Sequence, residues 1–388
     1  MSAPLKGLKV LELARVLAGP MIGQTLADLG AEVIKVESPA GDDTRKWGPP
    51  WIEHEDGTRT AAYFYSCNRG KRSIALDFKS EADREIVLKL VRDSDVLIEN
   101  FKVDGLAKYG LDYETLKAIN PRLIYCSVTG FGQDGPYAKR AGYDLMIQAM
   151  SGIMDLTGEP DRPPQKMGMA FADVFTGLYG VIAIQAALAA RASTGKGDHI
   201  DMSLFDCMVG VMGNQAMNYM VTGQSPTRMG TAHPNIVPYQ DFPTSDGHMI
   251  IACGNDRQFA EVCGILDLNL ADDPQYATNA ARVVHRDALI ALMSERSKLH
   301  TTADLLSALE EASVPAGPIN TMGQALEDPQ MLHRGVAIET DEAPGLRTPI
   351  SFENAKLDTS RAAPRLDADR DVVLRPDSAS SRKDEDDQ

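Results

Sequence analysis

Leu8-Lys-Val-Leu-Glu-Leu13, residues 20–29 and Ala31-Glu-Val-Ile-Lys-Val-Glu37 decide the fold. The outer two are short apolar runs that read as strands, and the middle one reads as a helix ended by Gly30. Strand, helix, strand at this spacing is a βαβ unit, whose strands run parallel because the helix carries the chain back across the sheet. Its first turn, Ala14-Arg-Val-Leu-Ala-Gly-Pro20, stands where a doubly wound sheet presents its strand ends to ligands. That turn lacks the G-x-G-x-x-G of dinucleotide enzymes, and G-x-x-x-x-G-K-[ST] is missing from the chain. NAD is disfavoured and nucleotide triphosphate chemistry is set aside.

Outward from this unit the alternation continues. After a Gly/Asp/Pro-rich loop over 41–50 and an irregular stretch to Gly70, Ser73-Ile-Ala-Leu-Asp77 reads as a strand and about 80–93 as an amphipathic helix. Residues 95–101 and 122–128 are near-continuous apolar strands of the kind covered by helices on both faces, so the sheet is mainly parallel. A Met-rich helix is expected from 143 to about 157, then a Pro-rich loop, a long helix from near Asp173 to Arg191, a strand over 200–204 and a helix over about 205–221. Residues 223–247 read as an irregular connector. The spacing then predicts a strand over 249–253 and helices over 256–265, 285–297 and 302–312. The expected organisation is α/β: a large domain over 1–222, a small α+β domain over 225–325, and a return over 330–375 through strand-like pieces at 336–339 and 349–352. The charged, non-aromatic tail over 376–388 is expected to be disordered.

Composition narrows the function classes. A net charge of −16 argues against a nucleic-acid partner. No apolar run approaches the about 18 residues that span a bilayer, and the start, Met1-Ser-Ala-Pro-Leu-Lys-Gly7, lacks the apolar core of a signal peptide. Five scattered cysteines, Cys67, Cys126, Cys207, Cys253 and Cys263, read as reduced packing residues in a cytoplasmic protein. The seven histidines never cluster at metal-ligand spacing, so no metal site is expected. A small anionic ligand needs only a local basic patch, and Asn68-Arg69-Gly70-Lys71-Arg72 is the densest in the first half of the chain; the alternative is a solvated turn.

In Met167-Gly-Met-Ala-Phe-Ala-Asp173-Val-Phe-Thr-Gly-Leu-Tyr-Gly180 one carboxylate stands among apolar and small residues at a helix start. Gly177, Gly180, Ala183 and Ala187 recur every three or four residues and give that helix a smooth face for close approach. Asp173 either caps the helix or acts as a nucleophile.

Taken in order, Val16-Leu-Ala-Gly-Pro20, Leu29-Gly-Ala-Glu-Val-Ile-Lys-Val-Glu37, Gly41-Asp-Asp-Thr-Arg45, residues 68–77, Glu99-Asn-Phe101, Ala172-Asp-Val174 with Gly177, and Thr194-Gly-Lys-Gly197 resemble the class III CoA-transferases over roughly residues 5–370. The resemblance implies a Rossmann-like large domain, a smaller domain and an interlocked homodimer. It implies acyl-CoA and carboxylic acids as substrates, with no permanently bound cofactor. The family's nucleophile falls on Asp173, and its CoA contacts fall on Val16, Ala18, Lys71, Asn100 and Phe101, with a basic residue at Lys108; Arg72 adjoins this set in the basic cluster. A basic contact that the formyl-CoA enzyme carries after its second strand is Ser38 here. Gly142-Tyr143-Asp144 lacks the histidine that racemases of this fold set before the aspartate. Without that imidazole racemisation lacks one of its two acid/base groups; an acyl-CoA racemase or epimerase, and a non-catalytic CoA-binding protein, are the rival readings. The stretch 228–240 is similar to the succinate–hydroxymethylglutarate (glutarate) branch, which implies dicarboxylic acids.

The chemistry suits these residues. An aspartate with the reference pKa of about 3.9 is ionised at neutral pH and attacks a thioester without a general base. The tetrahedral intermediates need fixed donors, for which the backbone N–H groups of Leu17 and Ala18 are candidates; otherwise that turn is only a tight βα connection. Arg15, Arg228 and His233 are candidate cations for a second carboxylate, or else plain loop or interface residues. Tyr143 either hydrogen-bonds within the site or is a buried structural phenol.

Overall fold

Lys9–Glu12 and Glu32–Glu37 pair in parallel, Lys9 beside Glu32 and Leu11 beside Ile34, with the helix Ala18–Asp28 between them in the chain. The structure, a computed structural model, describes residues 2–375; the tail expected over 376–388 lies outside the described residues. Six parallel strands form the main sheet in the order Arg72–Ala75, Glu32–Glu37, Lys9–Glu12, Val96–Glu99, Ile124–Thr129, His199–Ser203. Val96 to Glu99 are buried throughout, as a central parallel strand requires. The order runs outward from Lys9–Glu12 on one side and resumes with Val96–Glu99 on the other, so the sheet changes direction between those two strands. The carboxyl ends at such a switch point open a crevice that loops cannot fill.

Two compact units divide the chain. The first holds the residues up to Gly152, Met167–Ala216 and the chain from Arg334; the second holds Ile153–Lys166 and Met217–His333. The excursion at 153–166, expected in the large domain, thus falls in the second unit. Gly152 leaves the helix Asp144–Ser151 with φ +97°, splitting the Met-rich helix, and the excursion is tied to the second unit by Gly230 N–H to Gly158 C=O at 3.1 Å and by Arg228 to Asp155. Within that unit His248–Ala252 is the centre of a three-stranded antiparallel sheet over a core of Phe242, Met249, Phe259, Leu289 and Leu305.

In the first unit the C-terminal return protects the sheet edge. Asp369 accepts from the N–H of Ser73 at 3.0 Å and Asp367 from that of Ala75 at 2.8 Å, so acceptors cover donors an edge strand would leave open. The return's hairpin pairs Ala337–Glu339 with Pro344–Leu346, not with 349–352, which is not a strand. Other local differences are short elements. Trp51–Glu53 and Arg59–Ala61 form a hairpin, Ala62–Asn68 is a helix, and Tyr239–Pro243 is a strand inside the expected connector; the helix expected over 205–221 is two, Leu204–Gly210 and Gly213–Thr222. The elements of three to seven residues carry too little periodicity to announce themselves.

The smooth face of the helix Phe171–Thr194 packs on the helix Ala18–Asp28. A Cβ placed on Gly180 falls 2.4 Å from Cδ1 of Ile22, and one on Gly177 falls 3.2 Å from the Ala18 carbonyl oxygen. Nothing larger than hydrogen fits at Gly180 with Ile22 where it is.

Candidate active site

The turn after the first strand is held from two sides. Asn100, just past the neighbouring strand, clamps Arg15: its Oδ1 accepts from Arg15 N–H at 3.0 Å and its Nδ2 donates to Arg15 C=O at 2.6 Å. Val16 then adopts φ +72°, a conformation uncommon for any residue with a Cβ and costly for a branched one, on the order of 1–3 kcal/mol. Asp42 holds it there by accepting its N–H at 3.2 Å, while also accepting the Thr44 N–H and hydroxyl. The left-handed residue turns the chain abruptly into the helix Ala18–Asp28, whose N-cap, Leu17, supplies no side-chain acceptor. The N–H groups of Ala18 and Gly19, in the first turn, have no acceptor within their own helix.

Beneath the turn lies a buried array of charges. The Lys35 ammonium meets Glu12 at 3.1 Å, the Ala14 carbonyl at 2.8 Å and Asp42 at 3.0 Å. The Lys71 ammonium meets the two Glu12 oxygens at 2.9 and 2.8 Å, the Pro20 carbonyl at 2.7 Å and Asn68 at 2.9 Å. Burial works against both cations; for Lys35 the charges of Glu12, Asp42 and Glu37 outweigh it and hold the ammonium above the ordinary lysine value, whereas for Lys71 burial wins and lowers it. Helix and carboxylate approach so closely that a Cβ on Gly23 would lie 1.8 Å from Oε2 of Glu12. The expectation that Lys71 contacts CoA is therefore corrected. It is 0% exposed, and its donors are spent on Glu12, Pro20 and Asn68.

Asp173 lies in the first turn of Phe171–Thr194 and is not its cap. The N-cap position is Ala170, without a side-chain bond, and the helix start is capped from a distance by Asp144, whose Oδ1 accepts from the N–H of Ala172 at 2.9 Å and of Asp173 at 3.4 Å. Asp144 is carried there by close backbone contact, a Cβ on Gly142 falling 2.4 Å from the Cα of Gly130. Burial, reinforced by the Asp144 charge, pushes the Asp173 carboxyl up to about 7. The expectation of a carboxylate with an ordinary pKa is corrected by these two causes. Tyr63 faces the same charges: burial first, then Asp173, pushes its phenol up to about 12.

The remaining candidates divide. Leu13, Arg15, Ser38, Asp42, Phe78, Phe101 and Tyr109 line a cavity of about 210 Å³ at the carboxyl ends of the strands. Lys108 is exposed beside it, its ammonium 4.8 Å from the ring centre of Tyr109. Val16, Leu17 and Ala18 form the adjoining turn, clamped at Arg15 by Asn100, and Gly177 sets the Asp173 helix against Ala18. Arg72 does not join them: it begins its strand, pairs with Glu32 and Asp369, and lines a different cavity with Lys9, Lys89 and Arg375. Tyr143 is 69% exposed, so it is not a buried structural phenol. In the second unit, Arg228 donates to the Asp155 carbonyl and carboxylate at 2.9 and 2.7 Å, and His233 accepts from the Asn235 N–H at 3.1 Å. Sequence reasoning missed Asp42, Tyr63 and Gln148 and gave Asp144 no role. Asp42 and Asp144 stood in quoted motifs, Gly41-Asp-Asp-Thr-Arg45 and Gly142-Tyr143-Asp144, but their hydrogen-bond partners are remote in the chain.

Comparison with known proteins agrees with this geometry. The family model described as CoA-transferase family III matches residues 5–370. A succinate–glutarate CoA-transferase of Agrobacterium fabrum (strain C58) is 53% identical over 379 residues, covering 96% of this chain and 95% of that protein. A human succinyl-CoA:glutarate CoA-transferase is 43% identical over 372 residues, covering 94% of this chain and 83% of that protein. Among solved structures, a CAIB/BAIF family protein from Brucella suis is 62% identical with a TM-score of 0.88, covering 96% of this chain and 99% of that one. With the family model matched over residues 5–370 and a relative 53% identical over nearly its whole length, this chain belongs to CoA-transferase family III.

Proposed function

We propose that this CoA-transferase moves CoA from succinyl-CoA, or another dicarboxylyl-CoA, to a dicarboxylic acid through covalent intermediates on Asp173. The observation that carries the reading is the Asp173 carboxyl, pushed up to about 7 in the first turn of a helix packed by Gly177 on Ala18. A more basic carboxylate is a better nucleophile once ionised. It attacks the thioester carbonyl, the C–S bond breaks, and CoA leaves as thiolate from an aspartyl-acyl anhydride. The thiolate then attacks the aspartyl carbonyl, releasing the donor acid and leaving aspartyl-CoA. The acceptor carboxylate attacks that thioester, freeing the thiolate again, and the thiolate takes the new acyl group from the second anhydride and restores Asp173. The Leu17 and Ala18 N–H groups stabilise the oxyanions, a term worth about 3–4 kcal/mol per donor.

CoA enters along the cavity at Phe101 and Tyr109, with Lys108 near its phosphates. Arg15 suits a second substrate carboxylate, because its present partner, Asp43, is a half-exposed ion pair at 3.1 Å of the kind that an anionic ligand displaces at little cost. The working form is an interlocked homodimer in the cytosol. Support for the dimer lies in apolar side chains left open in each unit, Leu178 and Ile182 in the first and Met220 and Val221 in the second. Against the expectation that no apolar run approaches a bilayer's span, the helix Phe171–Thr194 is long and apolar enough to cross a membrane by length and composition, because small and aliphatic residues continue it past Asp173; a partner chain is the covering we assign to it.

Incubation with succinyl-CoA and a panel of mono- and dicarboxylic acids tests the reading. New CoA esters should form with kcat/KM for dicarboxylates about 10- to 100-fold above that for monocarboxylates of equal length. Deuterium uptake at the α-carbon in heavy water without an acceptor would indicate racemisation instead, and binding without turnover would indicate no enzyme. The pH profile supplies a second check. Only ionised Asp173 attacks, and its ionised fraction falls as pH drops through about 7, so log(kcat/KM) should be flat above that pH and decline below it. An acid limb near the ordinary carboxylate value of about 4 would mean that the part-buried Asp144–Asp173 pair does not govern the reaction.

A further inference from the structure

Gln148 lies one helical turn beyond Asp144 and is fully buried. A buried primary amide brings two N–H donors and an acceptor oxygen, each costly to leave without a partner. Its Nε2 donates to Asp144 Oδ2 at 2.7 Å and to the Met169 carbonyl at 3.1 Å, and its Oε1 accepts from the Met167 N–H at 2.9 Å. Two of these partners only accept and the third only donates, so a single orientation of the amide satisfies all three. The bonds reach Asp173 by two routes. Met167 and Met169 lie in the segment that enters its helix, and Asp144 caps the helix through Ala172 and Asp173 with its other oxygen.

We propose that Gln148 is a positioning residue for the Asp173 nucleophile: it fixes the Asp144 cap and the 167–169 segment relative to each other, and so aims the carboxylate at the acyl carbonyl. The proposal rests on Asp173 being the nucleophile. Other residues of this size do not substitute. Glutamate keeps an acceptor for Met167 but sets a carboxylate against Asp144 and a carbonyl; methionine fills the volume and bonds none of the three.

Gln148→Met and Gln148→Glu are to be compared with the wild type in steady-state transfer and in rapid-quench mixing with acyl-CoA, following the adduct on the peptide that carries Asp173 by mass spectrometry. Because small misplacements of a reacting group cost up to about a hundredfold, kcat in Gln148→Met should fall about 10- to 100-fold, with adduct formation slowed in parallel. KM for acyl-CoA should stay within about threefold, since the cavity lined by Leu13, Phe78 and Phe101 is untouched. A residue that only stabilised the fold would lower the melting temperature without producing this split. A folded Gln148→Met enzyme with kcat within about twofold of the wild type, or with its loss entirely in KM, overturns the proposal. Should that variant fail to fold, Gln148→Glu carries the same expectation and the same overturning result. If the wild type turns over with no Asp173 adduct, the nucleophile reading and this proposal fall together; a wild-type adduct beside unaffected variants removes only the proposal.

Discussion

Asp173→Ala is expected to abolish CoA transfer, lowering kcat by about 10⁴-fold or more, the scale on which loss of a covalent nucleophile acts. The expectation is large because no other group can stand in. Asp144 is the nearest alternative carboxylate, and its oxygens are engaged with the N–H groups of Ala172 and Asp173 and with Gln148. Asp173→Asn separates chemistry from folding. The wild-type carboxyl is raised by burial and by Asp144, so its ionisation weighs against the native state: the penalty is absent below the unfolded value of about 4, grows between that pH and about 7, and is complete above. The asparagine variant should therefore be inactive yet at least as heat-stable as the wild type at pH 8, with the difference vanishing near pH 4. Transfer that survives in either variant, measured by new CoA ester over time, would sink the aspartyl mechanism.

The second large effect is on stability. Glu12→Ala should destabilise the protein by about 3–5 kcal/mol, because it leaves the Lys71 ammonium buried without its carboxylate and Lys35 with Asp42 as its remaining close carboxylate. Against a total of about 5–15 kcal/mol for a folded domain, that loss brings the first unit to the edge of unfolding. Chemical denaturation would show the midpoint shift. Replacing Glu12, Lys35 and Lys71 together by apolar residues of similar volume should recover most of it, since a buried ion set is worth little over good packing while a broken one is costly. The triple variant should still lose activity, because Lys35 also orients Asp42, which holds Val16 in its left-handed conformation. A Glu12→Ala protein with an unchanged midpoint would mean that the array is solvated and does not support the turn.

How far the sequence could be read follows from the range of the interactions. The βαβ start, the parallel sheet, the small-residue face of the Asp173 helix and the position of Asp173 all rest on residues within one or two turns of each other, and periodicity and spacing report those directly. The amphipathic helix Glu81–Asp93 is of this kind, capped by Ser80 and begun with Glu81 and Asp83. Lys71 and Arg72 show where such reading ends. As neighbours in a basic cluster they read as one anion site or a solvated turn, but Lys71, just before the strand, enters the core against Glu12, which lies 59 residues earlier, and Arg72, its first residue, turns to Glu32 and Asp369.

The amino-acid sequence by itself determined the α/β class, the family's order of motifs and the place of the proposed nucleophile at the start of its helix, because each is written in local pattern. Only the tertiary structure decided the character of Asp173: a carboxyl raised to about 7, with an aspartate 29 residues away whose oxygen caps its helix. The same holds for Val16, whose left-handed backbone is set by Asp42 from 26 residues away. Burial and the approach of like charges arise only when distant segments fold together, and those two quantities set a pKa and hold a strained turn.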